Sequence, residues 1–382
     1  MTVQRLVTFM PKIGSAVSPL HGGHCPPWLF QKMTQLSAAI VETIVVEFGP
    51  EEVLRRFADP VWFQAFGGVI GFDWHSSGLT TVGLGALKEG LAPKQRELGL
   101  FIVGGKGKTA RQTPHEIDAI GDTVALSQDI HQLKETSRLV AKVDNALVQD
   151  RFQIYHHVMM FTTEGKWTVI QQGMNEQQST ARRYHWLSDT VKNFMVEPHQ
   201  GIVGRLVPHV LNLTQQDNLP IQKASLELTR RPEDVLLALR SLTIHQGQKD
   251  LVMPRHHDIP SARYLDKALN TIYQNSPQSY QDLVLTPGVG ASTLRALAMV
   301  SEIVYGSPLT YDDPVRYSFA HGGKDKIPYP VNRHDYDHSL QILEDALNKS
   351  RIDDRSKLES LRRLARLNAV QTQPMPLYGP GS

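Results

Sequence analysis

The chain holds a single cysteine, Cys25, among 382 residues. One thiol cannot close an internal disulfide, so the fold rests on its core, as is usual in a reducing compartment. Long apolar runs are also missing. None reaches the ~20 residues that a membrane-spanning helix requires, so no membrane partner is expected. Met1-Thr2-Val3-Gln4-Arg5-Leu6 has no signal-peptide apolar region. These absences predict a cytoplasmic location. Excess charge of either sign is absent as well, with Lys+Arg 40 against Asp+Glu 38 and a net charge of +2. That excludes a chain-wide polybasic binder, and any nucleic-acid contact must come from a local patch. No internal repeat is evident.

What is present is an ordinary globular composition, 41% hydrophobic and 20% charged, in a chain long enough for two or three domains. Apolar periodicity predicts a helix over 27–49, with Leu29, Met33, Leu36, Ile40, Ile44 and Val45 as its stripe. Pro50-Glu51-Glu52 starts a second helix, and 67–85 is glycine-rich and irregular. Residues 86–116 mix strand and loop, and 128–148 reads as a helix. Phe152–Phe161 and Trp167–Ile170 alternate around the turn Thr163-Glu164-Gly165-Lys166, a β-hairpin signal. Residues 200–258 are mixed, 262–350 are helical apart from a loop over 306–334, and the tail from Gln371 has a disordered composition. The fold expected is α+β. A mixed catalytic domain over 1–255 contains the hairpin, an all-helical domain spans 256–350, and 351–382 form a basic amphipathic helix and tail. In that helix Arg351, Arg355, Lys357, Arg362, Arg363 and Arg366 accompany Leu358, Leu361, Leu364 and Leu367, either flanking DNA or forming a solvated face.

The longest motif is Leu285-Thr286-Pro287-Gly288-Val289-Gly290-Ala291-Ser292-Thr293-Leu294-Arg295. Tyr280–Leu285 precedes the turn as a short helix, and Thr293–Tyr305 follows it as another. Glycines permit unusual dihedrals and close approach of another molecule. A helix opened by such a turn points free N–H groups, in a positive field, at a phosphate oxygen. Residues 280–306 resemble the helix-hairpin-helix with which DNA repair proteins grip the DNA backbone. The resemblance implies DNA contacts from Gly288, Val289, Gly290, Thr293 and Arg295, which position a protein without reading base sequence. A plain structural turn is the alternative.

The N-terminal half is dense in polar clusters. They are His21-Gly22-Gly23-His24-Cys25-Pro26, Gly71-Phe72-Asp73-Trp74-His75-Ser76-Ser77-Gly78, Gly104-Gly105-Lys106-Gly107-Lys108, Lys142-Val143-Asp144-Asn145, Gln149-Asp150, Tyr155-His156-His157, Gln171-Gln172-Gly173 and Arg183-Tyr184-His185-Trp186. With the glycine-lysine loop at 322–326, they closely resemble the family catalogued as domain of unknown function 763, over about residues 7–350. That family's name carries no reaction, so the chemistry has to be read from residue types.

Asp144 and Asp150 flank the end of a helix just before the hairpin, with Lys142 nearby. Two carboxylates and a lysine suit a phosphodiesterase using Mg2+ or Mn2+, which take oxygen ligands and activate water. In this reading Asp144 and Asp150 are the metal ligands, Lys142 gives electrostatic support, and His157 is a base. Alternation puts Gln153, Tyr155 and His157 on one face of the hairpin, and Gln172 opposite Gln171. The clean Asp…Glu-x-Lys of restriction-enzyme-like nucleases is missing, with Gln171-Gln172 in its place, and the alternative is that both aspartates simply end a helix. His21, His24, Cys25 and His75 match no zinc spacing. Gly104–Lys108 lacks the spacing of a nucleotide P-loop. Lys106 and Lys108 there, and Lys324 and Lys326 later, are candidate phosphate contacts. Trp74 is a candidate for stacking on a displaced base.

Asp312-Asp313 after the hairpin resembles the arrangement in helix-hairpin-helix DNA glycosylases, in which an aspartate supports the developing sugar cation. Ser292 stands where bifunctional members carry a lysine, and the aspartate falls late, so this implies at most a monofunctional glycosylase using Asp312 or Asp313. An N-cap aspartate is the plainer alternative. The function expected is a DNA-repair or DNA-processing enzyme, a metal-dependent endonuclease acting on damaged or structured DNA. The alternatives are a glycosylase and a non-enzymatic nucleic-acid binder.

Overall fold

Three consecutive strands rich in aromatic and β-branched residues build the centre of the protein. A computed structural model describes residues 18–19, 25–72, 77–245, 262–306, 308–315 and 333–372. In chain order the strands are β1 (Ser18–Pro19), β2 (Leu100–Lys106), β3 (Val148–Gln149), β4 (Gln153–Thr162), β5 (Trp167–Asn175), β6 (Thr180–Leu187), β7 (Gly201–Val203) and β8 (Leu211–Asn212). The main sheet is antiparallel in the order β1-β6-β5-β4-β2, with β7 beside β6, while β3 and β8 pair separately.

The helices are α1 (Pro27–Phe48), α2 (Pro50–Ala58), α3 (Pro60–Ile70), α4 (Leu84–Leu91), α5 (Gln95–Leu98), α6 (Lys108–Arg111), α7 (Thr113–Gly121), α8 (Ile130–Ala146), α9 (Leu219–Leu228), α10 (Pro232–His245), α11 (Ala262–Asn275), α12 (Tyr280–Leu285), α13 (Ala291–Tyr305), α14 (Arg333–Lys349) and α15 (Asp354–Thr372). A π-helical turn, Leu79–Gly83, leads into α4. The mixed α+β class is as expected, and so is the β4–β5 hairpin, whose turn uses Gly165 at φ +83°.

Helices cover both faces of the sheet. Leu100, Ile102, Val158, Met160, Ile170 and Leu187 point into a core with α1 to α4, α14 and α15. Phe101, Met159, Phe161, Val169, Tyr184 and Trp186 point into a second core with α8, α9 and α11 to α13. That is why the central strands are buried along nearly their whole length rather than alternately. Each large apolar side chain so buried contributes roughly 1.5–3 kcal/mol. Both cores draw on residues from either side of position 255. The C-terminal helices α14 and α15 return to pack on α1 and α3. Helix α15 runs on to Thr372, past the predicted start of the tail.

One expectation about the hairpin is corrected. A register shift lies between Ile154 and His156, and the extra residue flips the alternation. Tyr155 therefore bonds Gln172 while His157 bonds Gln171, so Tyr155 and His157 serve opposite faces.

Candidate functional site

Helices α12 and α13 flank the Pro287–Gly290 turn, and α13 opens at Ala291, two residues before the expected Thr293. Ser279 caps α12 in a capping box with Asp282. Gly288 turns the chain at φ +82°, and Gly290 precedes α13 without offering a side-chain cap. Lys142 on α8 donates its Nζ proton to the Val289 carbonyl. Gln149 donates to the Ala291 carbonyl at 2.9 Å and accepts from Arg295 Nε at 2.7 Å. Three contacts from α8 and β3 thus hold the turn in place. Beside it opens a cleft of about 550 Å³, whose lining includes Asn145, Gln149, Arg151, Gln178, His209 and Arg295.

Not every predicted contact residue reaches this surface. Val289 and Thr293 are buried, at 2% and 0% exposure, because their side chains pack under the turn. Gly288 is exposed and Gly290 half-exposed, so the backbone rather than side chains faces outward there. Lys106 and Lys108 are exposed, at the end of β2 and the start of α6. Trp74, Asp73, His75, His21, His24, Lys324 and Lys326 lie outside the described residues.

Asp144 and Asp150 occupy two buried networks. Asp144 Oδ1 meets His199 Nε2 at 2.5 Å, and Oδ2 accepts from Trp186 Nε1 at 3.0 Å and from Gln171 Nε2. Gln171 Oε1 in turn holds His157 Nδ1 at 2.8 Å, and His157 Nε2 meets Ser137 Oγ at 2.9 Å. Both nitrogens of His157 are therefore engaged inside the core, and burial lowers its pKa below the usual histidine value.

The second network centres on Arg182, which is fully buried. Its guanidinium bonds Asp150 Oδ2 at 2.7 Å, Asp313 at 3.0 and 2.7 Å, and the Arg205 carbonyl at 2.7 Å. Asp150 Oδ2 also accepts from Tyr184 Oη at 2.6 Å, and its Oδ1 accepts from the Phe152 amide N–H at 3.0 Å. Asp313 also accepts from the Val207 and Val315 amides at 2.6 and 3.1 Å. Burial raises the Asp150 carboxyl against the opposing pull of Arg182, and raises the Tyr184 hydroxyl further.

These donor sets do not fit the expected divalent-cation site. Every oxygen of Asp144 and Asp150 accepts an internal donor, and a guanidinium sits where a cation would have to stand beside Asp150. Lys142 points away, to Val289. Among the described residues no group of three or more His, Cys, Asp and Glu side chains converges as metal ligands. Asp313 shares Arg182 with Asp150, so the aspartates of the two rival readings belong to one cluster.

The geometry adds a residue that no motif marked. His199 lines a small cleft of about 80 Å³ with Glu197, Asn212, Thr214, Asp312 and Asp313. Its Nε2 is held by Asp144, and its Nδ1 has no hydrogen-bond partner among the described residues. The pairing spans 55 residues, and no local spacing could reveal it.

A family model described as Protein of unknown function (DUF763) matches residues 14–331. No curated protein and no solved structure matches the chain.

Proposed function

The chain belongs to this family, Protein of unknown function (DUF763), and from the α12–α13 turn we propose that it binds DNA by the phosphate backbone, without reading base sequence. Gly290 carries the reading. Its backbone is extended, at φ −140° and ψ −174°, which any residue adopts. A Cβ there would meet nothing within 4 Å. Neither conformation nor internal packing calls for glycine, which leaves close approach by another molecule as the reason for it. The helix-hairpin-helix reading of residues 280–306 names that molecule: a phosphate oxygen at the N-terminus of α13, with Arg295 and Arg151 lining the cleft alongside. Titration of a fluorescent duplex tests it. Gly290→Val should weaken binding about tenfold or more while leaving thermal stability unchanged. Equal affinity in the variant would remove the turn from the interface.

A second reading, hydrolysis of the bound strand in DNA repair or processing, is favoured by His199. Asp144 orients its imidazole, and Nδ1 can take a proton from water as the water oxygen attacks phosphorus and the P–O bond to the leaving oxygen breaks. Asp144 is then a positioning residue rather than a metal ligand. End-labelled duplexes carrying lesions, mismatches or flaps test this, with and without Mg2+ or Mn2+, before and after alkali. Direct breaks abolished by His199→Ala support it, and breaks unaffected by His199→Ala, or none at all, overturn it. Breaks appearing only after alkali, and indifferent to chelator, would instead indicate a glycosylase and redirect attention to Asp313.

A further inference from the structure

On the face of the sheet opposite Asp144, one rung of paired residues crosses four strands: Lys106 on β2, His156 on β4, Gln172 on β5 and Arg183 on β6. At about 4.8 Å between strands the rung is short enough for the long Lys and Arg side chains to reach toward His156 and Gln172. It runs inward from solvent. Lys106 is exposed and lies 5.8 Å from the ring centroid of half-buried Tyr155, while His156, Gln172 and Arg183 are buried. Gln172 is fixed by donating to Tyr155 Oη at 2.5 Å and to the Ser77 carbonyl at 3.1 Å, just ahead of the π-helical turn.

Two groups on this rung lack what burial normally demands. Both ring nitrogens of His156 are buried without a hydrogen-bond partner, although buried polar atoms are almost always paired. Arg183 stacks on Phe63 at 4.5 Å, gives Nε to His185 at 2.7 Å and Nη2 to Gln64 at 3.1 Å, and has no carboxylate partner among the described residues. Burial lowers its pKa to about 9 and that of His156 to about 3. A buried cation without a counter-ion is costly. The contrast with Arg182, one residue earlier and held by two carboxylates, is direct.

We propose that Lys106, His156 and Arg183 form a site for a phosphoryl group, entered past Lys106 and Tyr155. Arg183 Nη1 and Lys106 Nζ supply charge, and His156 supplies a ring N–H that has no other partner among the described residues. The phosphoryl group is either free phosphate or the phosphorylated end of a nucleic-acid strand. This site is independent of the α12–α13 turn, so each can fail without the other.

Isothermal titration of the full chain with inorganic phosphate, a 5′-phosphorylated oligonucleotide and its unphosphorylated twin tests the proposal. Saturable binding of either phosphorylated probe, weakened about tenfold in both Lys106→Gln and His156→Phe and retained in Gly290→Val, supports it. Lys106 is exposed, so its variant folds even if His156→Phe or Arg183→Gln does not. Preference for the 5′-phosphorylated strand over phosphate identifies a strand end, and equal binding of the two identifies the free ion. No binding of either probe, or unchanged affinity in Lys106→Gln, overturns it.

Discussion

Arg182 and Asp313 are 131 residues apart in the chain and joined by two hydrogen bonds, of 3.0 and 2.7 Å. The same guanidinium holds Asp150, so one buried cation ties β6, the approach to β4 and the segment after α13 together. Arg182→Met should cost about 3–5 kcal/mol, because it leaves two buried carboxylates without their cation. Urea denaturation measures this, and a loss below about 1 kcal/mol would mean that the cluster is not closed in solution.

The two glycines of the turn should separate cleanly. Gly288 sits at φ +82°, so Gly288→Ala should cost about 1–2 kcal/mol through backbone strain alone. Gly290→Ala should leave stability unchanged. Thermal melts of the pair are sufficient, and equal losses would show that Gly290 has an internal role after all.

Acid should destabilise the fold by protonating in the unfolded chain a histidine that stays neutral in the native core. His156 has its pKa lowered from 6.5 to about 3 in the folded chain, chiefly by burial. Between those values the unfolded state binds the proton and the native state does not, so stability falls as pH drops through the window. From pH 6.5 to 5 this one residue accounts for about 2 kcal/mol. His157 and His185 are shifted in the same direction by burial and add to the slope. Denaturation at several pH values should show the decline, and His156→Phe should flatten it.

Lys142 should matter for position more than for charge. It is partly buried and bonded to the Val289 carbonyl, and burial lowers its pKa. Lys142→Met should free the turn, raise hydrogen exchange at the Gly288, Gly290 and Ala291 amides, and lower duplex affinity several-fold with stability reduced by about 1 kcal/mol. Unchanged exchange would mean that Gln149 alone suffices to hold the turn.

Local rules made much of this fold readable. Helix α1 follows its apolar stripe, the β4–β5 hairpin follows its β-formers and the Gly165 turn, and α12 and α13 flank the Pro-Gly-Val-Gly turn as their periodicity demands. Strand β6 carries no clear strand signal in the sequence, because Arg182, Arg183 and His185 break its apolar pattern. They are buried in a strand because each finds partners from distant elements, Asp313 for one and Gln64 and Phe57 for the others. The bulge before His156 escaped for a similar reason: one inserted residue reverses a face without altering composition.

The sequence by itself determined the mixed class, helix α1, the β4–β5 hairpin and the Pro-Gly-Val-Gly turn between two helices, since dihedral preference and periodicity act over a few residues. Only the tertiary structure decided which charges meet. It joined Asp144 to His199 and Asp150 to Arg182, and left Arg183 without a carboxylate among the described residues. Those outcomes depend on contacts between residues far apart in the chain, and on burial, which decides whether a charge must be paired.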